Sequence, residues 1–202
     1  MKLYYAPGAC SQAVHIALRE TGAQFEPVAI DLATHTMADG ANYFDVSPRG
    51  YVPLLEMDDG SRHTETAALL QYVADRDPAQ ALIGVVGSDR RLQVTQWLAF
   101  VASELHKTFS PWLFSKETAD ATRQAVIDKL NKQFTDLDRV LSSRDYLAGD
   151  YSVADAYAFT IVNWAHFVAL PLTPYPHLSA YLARVAARPK VQEALRAEGL
   201  VK

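Results

Sequence analysis

The sequence predicts a small α/β domain at residues 1–78 followed by an all-helical domain at residues 88–202. Short extended segments and helical segments alternate before Asp77, whereas the later segments show apolar residues at the three- and four-residue spacing of helices. The connecting residues 78–88 are rich in proline, glycine and small side chains, which is typical of a linker. Hydrophobic residues make up 50% of the 202-residue chain, enough for each domain to bury a core.

The N-terminal domain begins with a predicted strand at residues 3–5 and a predicted helix at residues 11–21, which Gly22 ends. Residues 25–32 then alternate between apolar and polar side chains and predict a second strand. Asp59 and Gly60 separate two further extended segments, and glycine adopts the positive φ that a tight hairpin turn requires. A helix at residues 65–74 completes this domain.

The C-terminal domain is predicted to contain helices at residues 89–109, 116–141, 153–168, 176–187 and 191–197. Ser152 and Asp155 stand at the start of the third helix with the spacing of a capping box. In that motif the serine side chain accepts from a backbone N–H, and the acidic side chain reaches back to the N–H of the serine.

Composition and charge exclude several classes of protein. The formal net charge of -4, a pI near 5.8 and the lack of any Lys and Arg cluster argue against nucleic acid as a partner. The chain has no uninterrupted apolar run of the roughly 18 residues that a membrane span needs. Its first residues lack the apolar core of a secretory signal, so we expect a cytoplasmic protein.

Cys10 is the only cysteine, so no disulfide can form within the chain. It lies where the first strand ends and the first helix begins, in the field of unpaired backbone N–H groups, which favours the thiolate. A small buried side chain that packs the helix against the sheet is an equally good interpretation from position alone.

Two other short motifs have both a binding and a purely structural interpretation. Val52-Pro53 precedes an apolar strand; a cis bond there would turn the backbone of Val52 outward to pair with an extended peptide. Otherwise the proline marks a strand edge. Glu65 and Thr66 open the second helix and suit the ammonium and carboxylate of an amino acid, or serve as ordinary capping.

In the helical domain, Ser103, His106 and Lys107 are spaced to share one helix face. A solvent-facing stripe would look the same. His106 matters for function only if this face looks into a cleft.

Together these residues resemble the cytosolic glutathione S-transferases, and specifically their bacterial beta class. The resemblance covers essentially the whole chain, and its most specific part is the opening segment at residues 2–11 with Cys10 where that class carries its cysteine. Further support comes from Val52-Pro53, from Glu65-Thr66, from residues 103–107, from Ser152 to Asp155 and from the ending at residues 196–200. The family implies a thioredoxin-like N-terminal domain with a cis-proline, here Pro53, an all-helical C-terminal domain and a homodimer.

The resemblance also implies roles for single residues. Val52 would pair with the cysteinyl unit of glutathione, Glu65 and Thr66 would hold its γ-glutamyl end, and Cys10 and His106 would approach its sulfur. Ser103, Glu104 and Lys107 would line the same cleft, some of them across the dimer. Catalysis would rest on Cys10 and His106. Tyr5 and Ser11 are alternative donors to the sulfur, because other classes of the family use a hydroxyl there.

Two positions depart from the family pattern. His35 stands where many beta-class sequences have a lysine near the glycyl carboxylate of glutathione, so we expect affinity to fall between about pH 6 and 8 more than in a His35→Lys variant. Ala99 stands where relatives often have an asparagine, which puts the cross-subunit part of the glutathione network in doubt.

The leading hypothesis is therefore a transferase that activates the glutathione thiol and conjugates it to a hydrophobic electrophile, with no metal. Five aromatic residues could line the apolar half of its site or belong to the ordinary core of the helices: Phe109, Trp112, Phe114, Trp164 and Phe167. One alternative is a thiol transferase or peroxidase in which Cys10 forms a mixed disulfide with glutathione. The other is a non-catalytic protein that binds glutathione or hydrophobic ligands.

Overall fold

The computed structural model describes all 202 residues, which form two compact units. The first contains residues 1–79 together with 188–202, and the second contains residues 80–187. Residues 188–202, predicted to be part of the helical domain, instead pack with the N-terminal residues. Charged side chains explain this packing. Arg188, just before the last helix of the chain, forms a bidentate ion pair with Glu20 at the end of the first helix, at 2.7 and 3.0 Å.

The first unit is built on a five-stranded sheet with the order β3-β2-β1-β4-β5. Its strands are β1 (Lys2–Tyr5), β2 (Glu26–Asp31), β3 (Thr36–Met37), β4 (Leu54–Glu56) and β5 (Arg62–His63). β1 runs parallel to β2 and antiparallel to β4, and the remaining pairs are antiparallel. Gly60, at φ +82°, lies in the turn between β4 and β5 and confirms the predicted hairpin. This is the thioredoxin-like arrangement that the resemblance implies.

Helices accompany this sheet: α1 (Ser11–Glu20), α2 (Thr66–Asp75) and α9 (Pro189–Ala197). α1 packs against both α2 and α9. Leu3 and Leu55 pair across β1 and β4 and are both fully buried, as are Val14 and Ile16 of α1. Tyr4, which alternates with Leu3 along β1, instead packs in a second cluster with Tyr43 and Leu54. The start of α1 is therefore fixed against the end of β1 by core packing.

The second unit is helical. Its helices are α3 (Asp89–Phe100), α4 (Lys107–Phe109), α5 (Asp120–Leu141), α6 (Val153–Val162), α7 (Trp164–Phe167) and α8 (Pro176–Ala186). A π-helical segment, Val101–His106, connects α3 to α4, so the predicted helix at residues 89–109 has three parts. None of the helices combines the length and apolar character needed to cross a membrane.

Two predicted helices of this unit have different bounds in the structure. α5 begins at Asp120 rather than 116, because Arg123 donates to the carbonyls of Leu113 and Ser115 and holds the preceding residues in a turn. The helix predicted at residues 153–168 divides at Asn163 into α6 and α7.

α6 is buried along its whole length and begins with the predicted capping box. The Asp155 carboxylate accepts from the backbone N–H of Ser152 at 2.8 Å and from its hydroxyl at 2.9 Å. The same carboxylate accepts from the N–H of Leu147 and the hydroxyl of Tyr181, at 2.9 and 3.1 Å. A buried carboxylate is tolerated only with such partners, and here they fix where α6 starts.

Candidate active site

Cys10 occupies the position before the first residue of α1, as the sequence predicts, and only 8% of the residue is exposed. Its Sγ atom donates to the carbonyl oxygen of Val52 at 3.2 Å. The Val52-Pro53 peptide bond is cis, as the resemblance implies. The structure therefore brings together two residues that the sequence places 42 positions apart. A second cis bond, Ser110-Pro111, was not predicted.

Ser11 is fully buried, and its hydroxyl is used within the turn between β1 and α1. Its Oγ accepts from the N–H of Ala6 at 3.2 Å and donates to the carbonyl of Ala6 at 3.3 Å. These bonds occupy its single proton, so Ser11 stabilises the turn and is a poor alternative donor to a ligand sulfur. Tyr5 is 7% exposed, and burial, followed by the negative charge of Glu198, raises the pKa of its hydroxyl.

A buried carboxylate from the end of the chain holds the segment around Cys10. Glu198 accepts from the N–H of Gly8 at 2.9 Å and from the side-chain amide of Gln12 at 3.1 Å. Its other oxygen lies 2.8 Å from Nδ1 of His15. Because Nε2 of His15 accepts from Arg19 at 3.0 Å, the ring proton is on Nδ1 and is donated to Glu198. This role of Glu198 was not predicted from the sequence.

Glu65 and Thr66 lie at the N-terminus of α2, as predicted. Thr66 is the first helical residue and is buried, whereas Glu65 precedes it with φ 73° and ψ 105° and an exposed side chain. The carbonyl of Glu65 accepts from the N–H groups of Ala68 and Leu69, at 3.0 and 2.9 Å. Positive φ is costly for glutamate, and such strained residues cluster at functional sites. The carboxylate is thus held beside a helix N-terminus in solvent.

His35 lies in the loop after β2, with φ 54°, in the same unit as Cys10. Its ring stacks on Phe44 with centroids 4.5 Å apart and an angle of 19° between the planes. Gly50 passes so close that a β-carbon on it would lie 2.6 Å from Cδ2 of His35 and 2.8 Å from Phe44. Stacking and the close backbone approach therefore fix the orientation of His35.

The π-helical segment carries three of the predicted site residues and ends beside the fourth, Lys107. Single turns of π-helix are rare and often occur at functional sites. The alternative of a solvent-facing stripe does not hold for His106, which is half-buried. The wider turn leaves Ser103 and Lys107 exposed but directs His106 against aromatic side chains.

The polar residues of this segment have partners within the helical unit. The hydroxyl of Ser103 donates to the carbonyl oxygen of Ala99 at 3.0 Å. Ala99, which departs from the family pattern, therefore still accepts a hydrogen bond through its backbone. Glu104 forms an ion pair with Lys129 at 3.0 Å. Nδ1 of His106 lies 2.7 Å from the hydroxyl oxygen of Tyr157. Burial, with a smaller contribution from the charge of Lys107, lowers the pKa of His106 to about 4, so the ring is neutral at pH 7.

The five aromatic residues predicted to line an apolar subsite divide into two groups. Phe109 and Trp164 are core residues, at 0% and 5% exposure, in line with the alternative interpretation of these aromatics. Trp112, Phe114 and Phe167 are 46%, 46% and 61% exposed. The rings of Phe114 and Trp164 pack edge to face with centroids 5.2 Å apart, so Phe114 is packed against a core residue.

The predicted site residues therefore fall into two sets, each defined within its own unit. The first unit contains Cys10, His35, Val52, Glu65 and Thr66. The second contains Ser103, Glu104, His106 and Lys107. The first set offers a thiol that is hydrogen-bonded to the backbone of Val52, and a carboxylate beside a helix N-terminus. The second offers a neutral imidazole and exposed polar groups.

Two family models match the chain. The model of the glutathione S-transferase N-terminal domain matches residues 8–76, and that of the glutathione S-transferase C-terminal domain matches residues 100–189. Among curated proteins, glutathione S-transferase GstA of Escherichia coli O157:H7 is 43% identical over 201 residues, covering 99% of this chain and 100% of that protein. Glutathione S-transferase GST-4.5 of Xanthomonas campestris is 41% identical over 209 residues, covering 99% of this chain and 100% of its own.

Solved structures agree with these matches. BphK, a bacterial glutathione transferase solved as a ternary complex, superposes with a TM-score of 0.95 at 49% identity, covering 99% of this chain and 100% of that one. A sphingomonad glutathione S-transferase complexed with glutathione has a TM-score of 0.93 at 43% identity, with 100% of both chains covered. The beta-class enzyme of Sphingomonas chungbukensis has a TM-score of 0.94, also at 43% identity and with 100% of both chains covered.

Proposed function

Since the chain belongs to the glutathione S-transferase family and resembles its bacterial beta class, we propose how its residues divide the work of glutathione conjugation. The chain is a glutathione transferase, and glutathione is its co-substrate. Nothing in the comparisons favours a thiol transferase, a peroxidase or a non-catalytic binding protein. What remains to be assigned is which residues bind the tripeptide and which act on its sulfur.

The first unit binds the peptide part of glutathione in this proposal. Val52, before cis-Pro53, pairs through its backbone with the cysteinyl unit, as an added strand would. Glu65 holds the γ-glutamyl ammonium, while Thr66 at the N-terminus of α2 holds the neighbouring carboxylate. His35 donates to the glycyl carboxylate from its fixed, stacked position. The observation that carries this assignment is the Cys10–Val52 hydrogen bond, which joins the thiol to the peptide-pairing backbone.

The reaction begins with loss of the glutathione thiol proton to solvent. The thiolate then attacks an electrophilic carbon, and the leaving group departs with the electron pair of the broken bond or, in an epoxide, remains attached as an alkoxide. The positive N-terminus of α1, where Cys10 lies, stabilises the sulfur anion, and His106 donates a hydrogen bond to it. Ser103, Glu104 and Lys107 complete the binding cleft, some of them in the partner subunit.

A homodimer is proposed on the family resemblance, with support from exposed apolar side chains in both units. Tyr51 in the first unit is 65% exposed, and Val85, Val86 and Leu92 in the second are 63%, 75% and 67% exposed. Exposed large apolar side chains of this kind are available for burial in an interface. We expect light scattering behind gel filtration to give twice the 22.3 kDa chain mass. We also propose a cytoplasmic location.

The electrophile is proposed to be small and hydrophobic, supported by the exposed aromatic group of Trp112, Phe114 and Phe167. The deciding experiment measures glutathione binding by calorimetry and then conjugation over aryl halides, epoxides and peroxides. Binding with conjugation of at least one carbon electrophile is the expected result. Glutathione binding with turnover of peroxides alone would contradict conjugation, and undetectable binding would contradict the proposed site.

A further inference from the structure

The imidazole of His106 is fixed by a hydrogen bond at one nitrogen and by two aromatic rings that pack against it. Nδ1 lies 2.7 Å from the hydroxyl oxygen of Tyr157, a hydrogen bond at the short end of the range. The rings of Tyr157 and Trp164 meet that of His106 at steep angles, 85° and 78°, with centroids 5.8 and 5.0 Å away. With Nδ1 occupied, Nε2 is the nitrogen through which His106 can act on another molecule.

A neutral imidazole carries one proton, so the hydrogen bond at Nδ1 decides what Nε2 can do. If Nδ1 carries the proton, Nε2 is an acceptor. If Nδ1 accepts, Nε2 carries the proton and is a donor. Burial keeps His106 neutral at pH 7 because it lowers the pKa of the ring to about 4. The direction of the bond between His106 and Tyr157 therefore fixes the chemistry available at Nε2.

The relative acidities of the two groups favour Tyr157 as the donor in its hydrogen bond with His106. A phenol O–H is far more acidic than the N–H of a neutral imidazole, and an imidazole lone pair is a better acceptor than a phenol oxygen. The position of the hydroxyl is fixed, because Tyr157 is only 2% exposed and lies in α6, whose start is held by the four hydrogen bonds to Asp155. Tyr157 can thus hold one imidazole tautomer without moving.

We propose that Tyr157 is a positioning residue that donates to Nδ1 of His106 and so presents Nε2–H as a hydrogen-bond donor to the glutathione sulfur. The inference rests on the proposed role of His106 at that sulfur. Tyr157 itself does not contact the reacting atoms in this scheme. It acts by orienting the ring and by selecting the tautomer, as second partners of functional histidines commonly do.

The first test reads the tautomer directly. Nuclear magnetic resonance of the full-length protein with isotope-labelled histidine distinguishes a protonated from an unprotonated ring nitrogen. In the wild type we expect the proton of His106 on Nε2, and in Tyr157→Phe a mixture of both tautomers. A proton on Nδ1 in the wild type would overturn the proposal, because Tyr157 would then be the acceptor.

The second test measures turnover with glutathione and an activated aryl halide. Tyr157→Phe is expected to lower kcat by about tenfold, with a smaller change in KM for glutathione, because the donor to the thiolate is misplaced. It should also lower the fraction of bound glutathione present as thiolate at fixed pH, read by ultraviolet absorbance. Tyr175→Phe is the matched control: it removes a buried tyrosine hydroxyl of the same unit, one that bonds Asn131 at 3.2 Å, and should leave kcat unchanged.

A companion variant, His106→Asn, separates this inference from the proposal on which it depends. Loss of turnover in His106→Asn with unchanged turnover in Tyr157→Phe would overturn the role of Tyr157 alone. Unchanged turnover in both would overturn the role of His106 at the sulfur, and the inference with it. A similar loss in Tyr157→Phe and Tyr175→Phe would show a general packing effect and would also overturn it.

Discussion

The Sγ atom of Cys10 lies 3.2 Å from the carbonyl oxygen of Val52 and donates its proton to it. The thiol therefore has a partner in the protein itself, on the residue that precedes the cis bond to Pro53. This contact ties the start of α1 to the backbone proposed to pair with glutathione. Cys10 therefore has a structural role, fixing the start of α1 against Val52, that experiment can separate from a role as nucleophile.

Replacing Cys10 by alanine is expected to keep conjugation within about tenfold of the wild type, because the attacking sulfur belongs to glutathione. The lost hydrogen bond to Val52 costs about 1 kcal/mol, or roughly fivefold in an equilibrium. Cys10→Ser keeps a donor and should lose less. Steady-state kcat/KM for glutathione measures the effect. A loss of about 1,000-fold in both variants, with a glutathione-mass adduct on wild-type Cys10, would instead make Cys10 the nucleophile.

Glu65→Gln keeps the side-chain shape at φ 73° and removes only the charge. We expect glutathione to bind about tenfold more weakly, since a charge-assisted hydrogen bond to its ammonium is lost, while the melting temperature stays the same. Glu65→Gly relieves the positive φ and should bind still more weakly without losing stability. Calorimetry and thermal melts separate the two effects. Wild-type affinity in both variants would exclude Glu65 from the site.

Gly50→Ala should weaken glutathione binding, because the new β-carbon would lie 2.6 Å from the ring of His35 and displace it. Gly40→Ala is the matched control. Gly40 also has positive φ, +84° against +67° at Gly50, but nothing lies within 4 Å of a β-carbon there. Both variants should lose about 1 kcal/mol of stability from backbone strain, and only Gly50→Ala should also lose affinity. Equal affinity in the two variants would contradict the role of His35.

His106 makes the protein less stable in acid. Its pKa is lowered by burial from an ordinary value of 6.5 to about 4 in the folded state. As pH falls below 6.5 the unfolded chain gains a proton that the folded chain cannot hold, so the free energy of unfolding decreases until about pH 4. At about pH 5 this loss is about 2 kcal/mol.

His106→Gln should therefore show a smaller loss of stability between about pH 7.5 and pH 5 than the wild type, measured by urea unfolding at fixed protein concentration. An identical acid dependence in wild type and His106→Gln would show that His106 is protonated in the folded state well above pH 4.

Local rules explain what could be predicted from the sequence. The β1–α1 junction, the hairpin at Gly60 and the capping box of Ser152 and Asp155 each depend on residues within a few positions of one another. Glutamate at φ 73° could not be predicted, because nothing in the residues beside Glu65 demands that conformation. The π-helical segment was missed for a related reason: the apolar residues of Val101–His106 fit an α-helical spacing equally well.

Contacts between distant positions were beyond local rules. Cys10 and Val52 were each candidates from the local sequence, but their place beside one common ligand came from the family resemblance. His106 and Tyr157 are 51 positions apart, and Gly8 and Glu198 are 190 apart, so neither pair leaves a pattern in a single sequence. In each case burial forces a polar group to find a partner, and only the fold determines which one it is.

The unit that contains Cys10 combines residues 1–79 with residues 188–202, so it cannot assemble fully until the later residues have been synthesised. Residues 1–79 leave the ribosome well before residues 188–202 have been translated. Until then, His15 has no carboxylate from Glu198 and the N–H of Gly8 lacks that acceptor. The segment around Cys10 therefore gains these bonds only after Glu198 has been translated, so a chain truncated before Glu198 does not have the finished surroundings of the cysteine.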